Sequence, residues 1–522
     1  QECRGRNLFF STNIADSIRD CDIIFISVNT PTKQFGIGKG MAADLSAWYG
    51  LPRSIAAHAA SSKIVIEKST VPVRTAEGLH RVLKANPLNS KVKFAILSNP
   101  EFLAEGTAIR DLERPDRVLI GGQEKTPLGQ FAISVLADIY GRWVPHERIL
   151  TTNVWSSELS KLVANSFLAQ RVSSVNAVSM LCERTGADVR QVAKAVGADS
   201  RIGRKFLDAS VGFGGSCLQK DVLSLAYLCD FYGLKEASEY WLMVKNMNDL
   251  QKCRFAQRVI HELFNTVNKK KIAIFGFAFK KNTADIRETA ALDVCSALMN
   301  DGAYLYVYDP QVDETSARQE LVDRQSRLNE NFDLSKQFFF ETSPAAAVKD
   351  AHAIVVLTEW GRIPILRLQR FFDCMVKPAF IFDGRNILNH RRLAEIGFEV
   401  HGTVRNLILW MSHKIFLSDD GQRSSTDLPC LCSSVRGSFV YSEDINCTEI
   451  GSDCTLCLAH VNICKFCVQE ADGGMTNSTI QFRDCAVKYH SHQLIIKLLT
   501  STHHKTAHIN SSLKTVHSSS SS

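Results

Sequence analysis

The feature that most constrains this chain is a set of short apolar runs alternating with helical stretches, and the set occurs twice. Residues 22–28 (DIIFISV), 63–69 (KIVIEKS), 94–98 (FAILS) and 117–122 (RVLIGG) are rich in Ile, Val and Phe and bounded by polar or glycine-bearing loops. Runs of that length and make-up suit strands buried on both faces, and strands alternating with helices imply a parallel sheet covered on both sides. From Lys270 the pattern returns in residues 270–280 (KKIAIFGFAFK), 303–310 (AYLYVYDP), 353–360 (AIVVLTEW) and 379–386 (AFIFDGRN). Between the two sets, Trp155, Leu159, Leu162, Val163, Phe167 and Leu168 fall at the spacing of an amphipathic helix. The expected fold class is therefore α/β, with two Rossmann-like doubly wound parallel-sheet domains joined by a central helical segment. The expected domains are 1–150, 151–265 and 266–402, followed by a Ser-, His- and Cys-rich tail of low order, 403–522.

The 522 residues are 45% apolar, enough for about three domains at ~150 residues each. The net charge of +7 is scattered among acids, which gives no nucleic-acid surface, and no apolar run reaches the ~18 residues that span a membrane. Eight of the 16 cysteines precede Gly402 and are widely spaced, as for reduced thiols of a cytoplasmic protein. The tail's CTLC and CKFC (Cys454, Cys457, Cys464, Cys467) have paired-thiolate zinc spacing. Their short separation and the cysteines around them leave the ligand set ambiguous, and no metal is assigned.

In such sheets ligand loops lie at the carboxyl ends of the strands. Here those loops read SVNTPTK, EKSTVPV and NPEFLAEGTA. One further stretch stands out, residues 206–221 (FLDASVGFGGSCLQKD), where Gly212, Gly214 and Gly215 crowd against Cys217. Glycine serves where the backbone turns sharply or lies close to a ligand, and a thiol at the start of the following helix sits where N–H groups favour an anion. A nucleophile and a buried core cysteine both satisfy this stretch. Glu101 with Glu105, Lys161 with Asn165, and Cys217 with Asp221 each stand four apart, so on a helix each pair shares a face. Each pair alone is equally compatible with solvated or structural polar residues.

SVNTPTK, EKSTVPV, SNPEFLAEGTA, SSELSKLVANSFLAQR, SVGFGGSCLQKD, GFAFKKNTADIRE and FIFDGRN, in that order across residues 7–398, resemble the signature blocks of the UDP-glucose 6-dehydrogenases. The resemblance implies NAD-dependent, four-electron oxidation of UDP-glucose to UDP-glucuronate. By it, Cys217 is the nucleophile that forms a thiohemiacetal and then a thioester, and Lys161 is the base and oxyanion partner. Asn165 and Asp221 hold the hydroxyl or a water, Glu101 is the acid/base of hydrolysis, and Thr70 places the hydrolytic water. It further implies NAD contacts from Val28, Asn29, Thr30, Pro31, Thr32, Ser69, Thr70, Glu105, Cys217, Lys220 and Arg287. UDP-sugar contacts are implied for Glu101, Phe102, Leu103, Ala104, Glu105, Lys161 and Asn165, and for Asp208, Ala209, Ser210, Val211, Gly212, Phe213 and Gly214. Phe279, Lys280 and Arg385 complete that set, with Arg201 reaching in from a neighbouring subunit of a homo-oligomer.

The chain departs from the family pattern in places. It opens downstream of the family's GxGxxG turn, so the first sheet domain is expected to be incomplete and NAD binding weak. Leu218 stands for Phe, Asp208 for Lys or Asn, and Asn282, Ala284 and Ile286 for Asp, Gly and Thr. Two rival readings follow: an inactive subunit that binds UDP-sugar or sister chains, and a dehydrogenase of another nucleotide sugar.

Overall fold

A computed structural model describes residues 3–85, 91–328, 330, 332–366, 368–403 and 497–498. The tail beyond Thr403, with Cys454, Cys457, Cys464 and Cys467, lies outside the described residues apart from Lys497–Leu498. In chain order the first part contains β1 (Leu8–Phe9), α1 (Ile14–Asp20), β2 (Ile23–Ile26), α2 (Ser46–His58), β3 (Lys63–Glu67) and α3 (Thr75–Ala85). β4 (Phe94–Ser98), α4 (Ala108–Glu113), β5 (Val118–Gly122), α5 (Pro127–Tyr140) and β6 (Ile149–Asn153) follow. Four helices come next: α6 (Val154–Thr185), α7 (Val189–Gly197), α8 (Leu218–Phe231) and α9 (Lys235–Glu262). The last part runs β7 (Lys271–Phe275), α10 (Ala290–Asn300), β8 (Tyr304–Tyr308), α11 (Glu314–Leu328), α12 (Leu334–Gln337), β9 (Phe338–Phe340) and α13 (Pro344–Val348). It ends with β10 (Ala353–Val356), α14 (Leu368–Cys374), β11 (Phe380–Asp383), α15 (His390–Ile396) and β12 (Glu399–Gly402).

The first sheet has the order β2-β3-β4-β5-β6. Every residue of β3, β4 and β5 is buried, and successive side chains go to opposite faces. Val65 and Ile96 pack with Trp48, Leu51 and Ile55 of α2 and Leu79 and Leu83 of α3. Ile64, Ile66, Leu97 and Ile120 pack with Ala132, Leu136 and Tyr140 of α5. The sheet is parallel except at β4 and β5, which meet antiparallel at Ser98 and Gly121, so the all-parallel expectation fails at that one join. The second sheet has the order β12-β11-β10-β7-β8-β9 and is parallel throughout. Its strand order reverses between β7 and β10, as in a doubly wound nucleotide-binding sheet.

Four of these strands escape the sequence pattern, the two-residue β1 among them. β6 (ILTTN) and β12 (EVHG) are half polar, and β9 is only three residues long. The central helix differs more. Asn153 caps its start by accepting from the Ser156 N–H, and Gly186, in the left-handed conformation, ends it. The apolar stripe does not mark the buried face: Trp155, Leu159 and Phe167 are exposed, whereas Ser157, Glu158, Lys161, Asn165, Ser166, Ser173 and Asn176 are buried. The inner side of α6 therefore mixes these polar groups with Leu162, Ala169, Val175 and Cys182, the last three of which pack in apolar clusters.

Candidate active site

The glycine-bearing loop before Cys217 is gripped by polar side chains of the long helices. Asn176 of α6 accepts from the Ser210 N–H at 2.9 Å, and Gln251 of α9 donates to the Ser210 carbonyl at 2.9 Å. Asn248 of α9 accepts from the Phe213 N–H at 2.8 Å and donates to its carbonyl at 3.0 Å. On the other side Asn386 donates to the Ala209 carbonyl at 2.8 Å and Val211 N–H to the Gly384 carbonyl at 2.7 Å. A Cβ on Gly214 would stand 2.5 Å from the Glu288 carbonyl, and one on Gly215, at φ +88°, would stand 3.0 Å from the Phe279 ring. Only glycine lets the loop lie this close to the second sheet domain. The loop delivers Cys217 to the N-cap of α8 as an exposed thiol, 3.7 Å from the Ser216 hydroxyl, so it is not a core cysteine.

One turn into α8, Asp221 is 1% exposed. It accepts from Asn165 Nδ2 at 2.6 Å, and Lys220 Nζ lies 3.7 Å from its other oxygen. Burial raises its pKa against the opposing pull of Lys220, the Asn165 hydrogen bond and Lys161. One turn before Asn165 on α6, buried Lys161 pairs with Glu101 at 3.1 Å and stands 5.3 Å from the Phe102 ring centroid. Arg117 covers the same ring at 3.7 Å. Glu101 also accepts from the Leu103 N–H at 2.6 Å, and Ala104 N–H donates to Asp111 at 3.1 Å, which fixes the loop after β4.

The loops after β2 and β3 join this cluster. Lys220 reaches the Thr30 hydroxyl at 3.4 Å, and that hydroxyl donates to the Thr70 carbonyl at 2.8 Å. Ser69 Oγ accepts from the Val28 N–H and donates to the Val28 carbonyl, both at 2.8 Å. Asn29, Pro31 and Thr32 continue the same loop, where Pro31 accepts from the Asp44 N–H at 2.7 Å and Thr32 bridges Ala43. Arg287 pairs with Asp285 at 2.9 Å and with Glu105 at 3.3 Å. Burial, then the nearby Asp285, raises the Glu105 carboxyl. A Cβ on Gly106 would meet the Asn282 carbonyl at 2.4 Å, so the loop after β4 also touches the second domain.

At the carboxyl end of the second sheet a cavity of about 560 Å³ is lined by Asp208, Ala209, Lys281, Glu359, Trp360 and Arg385, among others. Arg385 donates to the carbonyls of Leu357 at 2.7 Å, Phe279 at 2.9 Å and Gly212 at 3.5 Å, which fixes one wall. Lys280 stands over the Phe279 ring at 5.3 Å. The exposed Arg201 is paired with Asp199, and Asp208, at the cavity wall, is exposed and paired with Arg204. Sequence reasoning passed over Asn176, Asn248 and Gln251. Each bonds a position far away in the chain, which left no local signal. Also passed over was Lys68, whose amine donates to Asn99 Oδ1 at 3.1 Å and to the Tyr140 hydroxyl at 3.3 Å. Burial pushes Lys68 down to about 8 and Tyr140 up to about 12.

Three domains of the UDP-glucose/GDP-mannose dehydrogenase family match the chain: the NAD binding domain over residues 1–144, the central domain over 155–250 and the UDP binding domain over 273–390. UDP-glucose 6-dehydrogenase 1 of Glycine max is 55% identical over 424 residues, which are 79% of this chain and 86% of that protein. UDP-glucose 6-dehydrogenase 4 of Arabidopsis thaliana is 55% identical over 418 residues, with the same coverage. Among solved structures, a UDP-glucose dehydrogenase of Pyrobaculum islandicum superposes with a TM-score of 0.62 at 29% identity, over 76% of this chain and 83% of that one. A UDP-D-ManNAc dehydrogenase of Pyrococcus horikoshii gives a TM-score of 0.61 at 23% identity, over 75% and 83%, and shares the fold.

Proposed function

This chain belongs to the UDP-glucose/GDP-mannose dehydrogenase family, and from that premise we propose that it oxidises UDP-glucose to UDP-glucuronate in two NAD-dependent steps. The observation that carries the reading is the convergence of an exposed thiol at a helix N-terminus with the Lys161–Glu101 and Asn165–Asp221 pairs. The residues around the loops after β2 and β3 fit a dinucleotide, since the Thr30 hydroxyl stands beside the Lys220 cation, which suits a diphosphate. When bound, NAD+ supplies the acceptor for one hydride in each oxidation.

Each residue then has a task. Lys161 or a water held by Asn165 and Asp221 takes the proton of the C6 hydroxyl as the C–H bond breaks. Once that base has passed its proton to solvent, Cys217 sulfur adds to the aldehyde carbon and the S–H proton goes to the base, leaving the thiohemiacetal as its oxyanion. Loss of the second hydride makes the thioester. Glu101 takes a proton from water as it attacks, the C–S bond breaks, and the sulfur regains a proton. Lys161, as an ammonium, stabilises each oxyanion. Thr70 helps place the attacking water. Overall, one alcohol, two NAD+ and one water give a carboxylate, two NADH and three protons. Arg385, Phe279, Lys280 and residues 208–214 hold the UDP-sugar in the cavity after β10 and β11.

The chain works as a homo-oligomer, in which Arg201 meets a neighbour's site. Supporting this are the exposed apolar side chains of α6 (Leu159, Phe167, Leu181) and α9 (Tyr240, Met243, Leu250). No helix among the described residues is long and apolar enough to cross a membrane, and we place the enzyme in the cytoplasm. The test is Cys217→Ser assayed for NADH production from UDP-glucose: turnover should fall at least about 10³-fold with the fold retained. An unchanged rate overturns the thioester route, and a rate higher with another nucleotide sugar overturns the substrate.

A further inference from the structure

Glu67 ends β3 three residues before Thr70, and it is 1% exposed. Glu158, 2% exposed, sits on α6 one turn before Lys161. The two carboxyls lie close enough for each to act on the other. Glu158 also accepts from the Arg74 N–H at 2.7 Å and the Ala76 N–H at 2.8 Å, at the start of α3. No described donor reaches either oxygen of Glu67, and both are buried. No lysine or arginine among the described residues forms an ion pair with either acid, since the Arg74 side chain turns away to Glu77 and the Trp155 ring. Two carboxylates have no hydrogen to share, and two buried like charges in contact repel strongly. With one proton between them the contact becomes an O–H···O⁻ bond, among the strong ones in proteins.

We propose that Glu67 and Glu158 hold a single proton between them and that this bond is a positioning contact, seating the Lys161 turn of α6 against the Thr70 loop. Glu67 is the donor, because Glu158 already accepts two N–H groups and is the better anion. The contact ties together β3, the start of α3 and α6, the elements that carry Thr70 and Lys161. Neither acid touches substrate. Burial, and then the neighbouring acid, hold the Glu67 carboxyl well above the ordinary carboxylate range, in keeping with a retained proton.

The tests use Glu67→Gln, whose amide keeps a donor to Glu158, and Glu67→Leu, which does not. The infrared difference spectrum at neutral pH, wild type minus Glu67→Gln, should contain the carbonyl band of a protonated carboxylic acid. Its absence overturns the shared proton, whatever the enzyme's activity. The effect on turnover rests on the reaction proposed above, whereas the spectrum does not, so the two can fail separately. In turnover, Glu67→Gln should keep kcat within about twofold, while Glu67→Leu should lose about tenfold in kcat with little change in KM for UDP-glucose. Equal kcat in the two variants overturns the positioning role. Because the folded-state pKa is raised, the native state holds a proton the unfolded chain releases, so wild-type stability should fall as pH rises from the ordinary glutamate range through the native value. That fall should be absent from Glu67→Gln, and an identical profile in both proteins also overturns the proposal. If Glu67→Leu does not fold, the spectrum and the stability profile still decide.

Discussion

The two sheets solve the same problem by different means. In the second, strand order reverses between β7 and β10, so a crevice exists by topology alone, and Arg385 bolts its wall through three carbonyls. In the first, the strands β2 to β6 lie side by side in chain order, with one antiparallel join, and no such reversal occurs among the described residues. Its site is assembled by what leans on it: α6 with Lys161 and Asn165, α8 with Lys220 and Asp221, and the segment around Arg287. The polar content differs accordingly. Glu67, Lys68 and Lys63 cluster at the two ends of β3, whereas the five residues of β7 are all apolar except Lys271. A crevice fixed by topology tolerates an apolar sheet beneath it, and a site fixed by side chains needs buried polar groups.

The sharpest way to break this contrast is Arg385→Ala. Three carbonyls lose a charged donor, each such bond being worth about 1.5–3 kcal/mol, so calorimetric affinity for UDP-glucose should weaken about 10²-fold. Affinity for NAD+ should not move. Equal losses for both ligands would show that the two sites are one mechanical unit, and the contrast would fail.

Those differences also set what was legible in the sequence. β7, β8, β10 and β11 of the second sheet stand out because each is a largely apolar run, and the alternation of strand and helix conveys the doubly wound order. β6 and β12 did not, because strands with exposed or polar residues lose the apolar signal. The i, i+4 spacing puts Lys161 and Asn165 on one face of α6, whereas Cys217 is only the N-cap of α8 and Glu101 and Glu105 lie in the loop before α4, where helical spacing does not apply; nor does spacing say which face is buried. Thus Trp155 and Phe167 read as core although they are exposed. The grips of Asn176, Asn248 and Gln251 on residues 210–213 join positions far apart in the chain, which no local pattern encodes.

A smaller effect tests the hinge between the two regions. Gly215→Ala forces a side chain into the left-handed region and against the Phe279 ring, a strain of about 1–3 kcal/mol at the residue two before the thiol. Turnover should drop about tenfold. Gly233→Ala, at φ +75° but with no atom within 4 Å of the added Cβ, carries the backbone strain alone and should leave turnover unchanged. Equal kinetic losses in the two variants would mean that the tight contact with Phe279 does not position Cys217.

The smallest effect lies in the first sheet and concerns charge rather than shape. Lys68 is pushed down to about 8 by burial, with Glu101 pulling upward and Lys161 downward. Its folded-state value is below its unfolded one, so the native state binds fewer protons over that interval. Wild-type stability should therefore rise with pH from about 8 toward the ordinary lysine range, as the buried charge is relieved. Lys68→Met keeps the stem and removes the charge, so its melting temperature should lack that rise, a difference of about 2–4 °C at the alkaline end. The change should leave the UDP-glucose affinity alone, because the Arg385 wall belongs to the other sheet. A shift in that affinity would mean that charge buried at β3 reaches the second sheet through the Lys161–Glu101 pair, and the division of labour between the sheets would have to be redrawn.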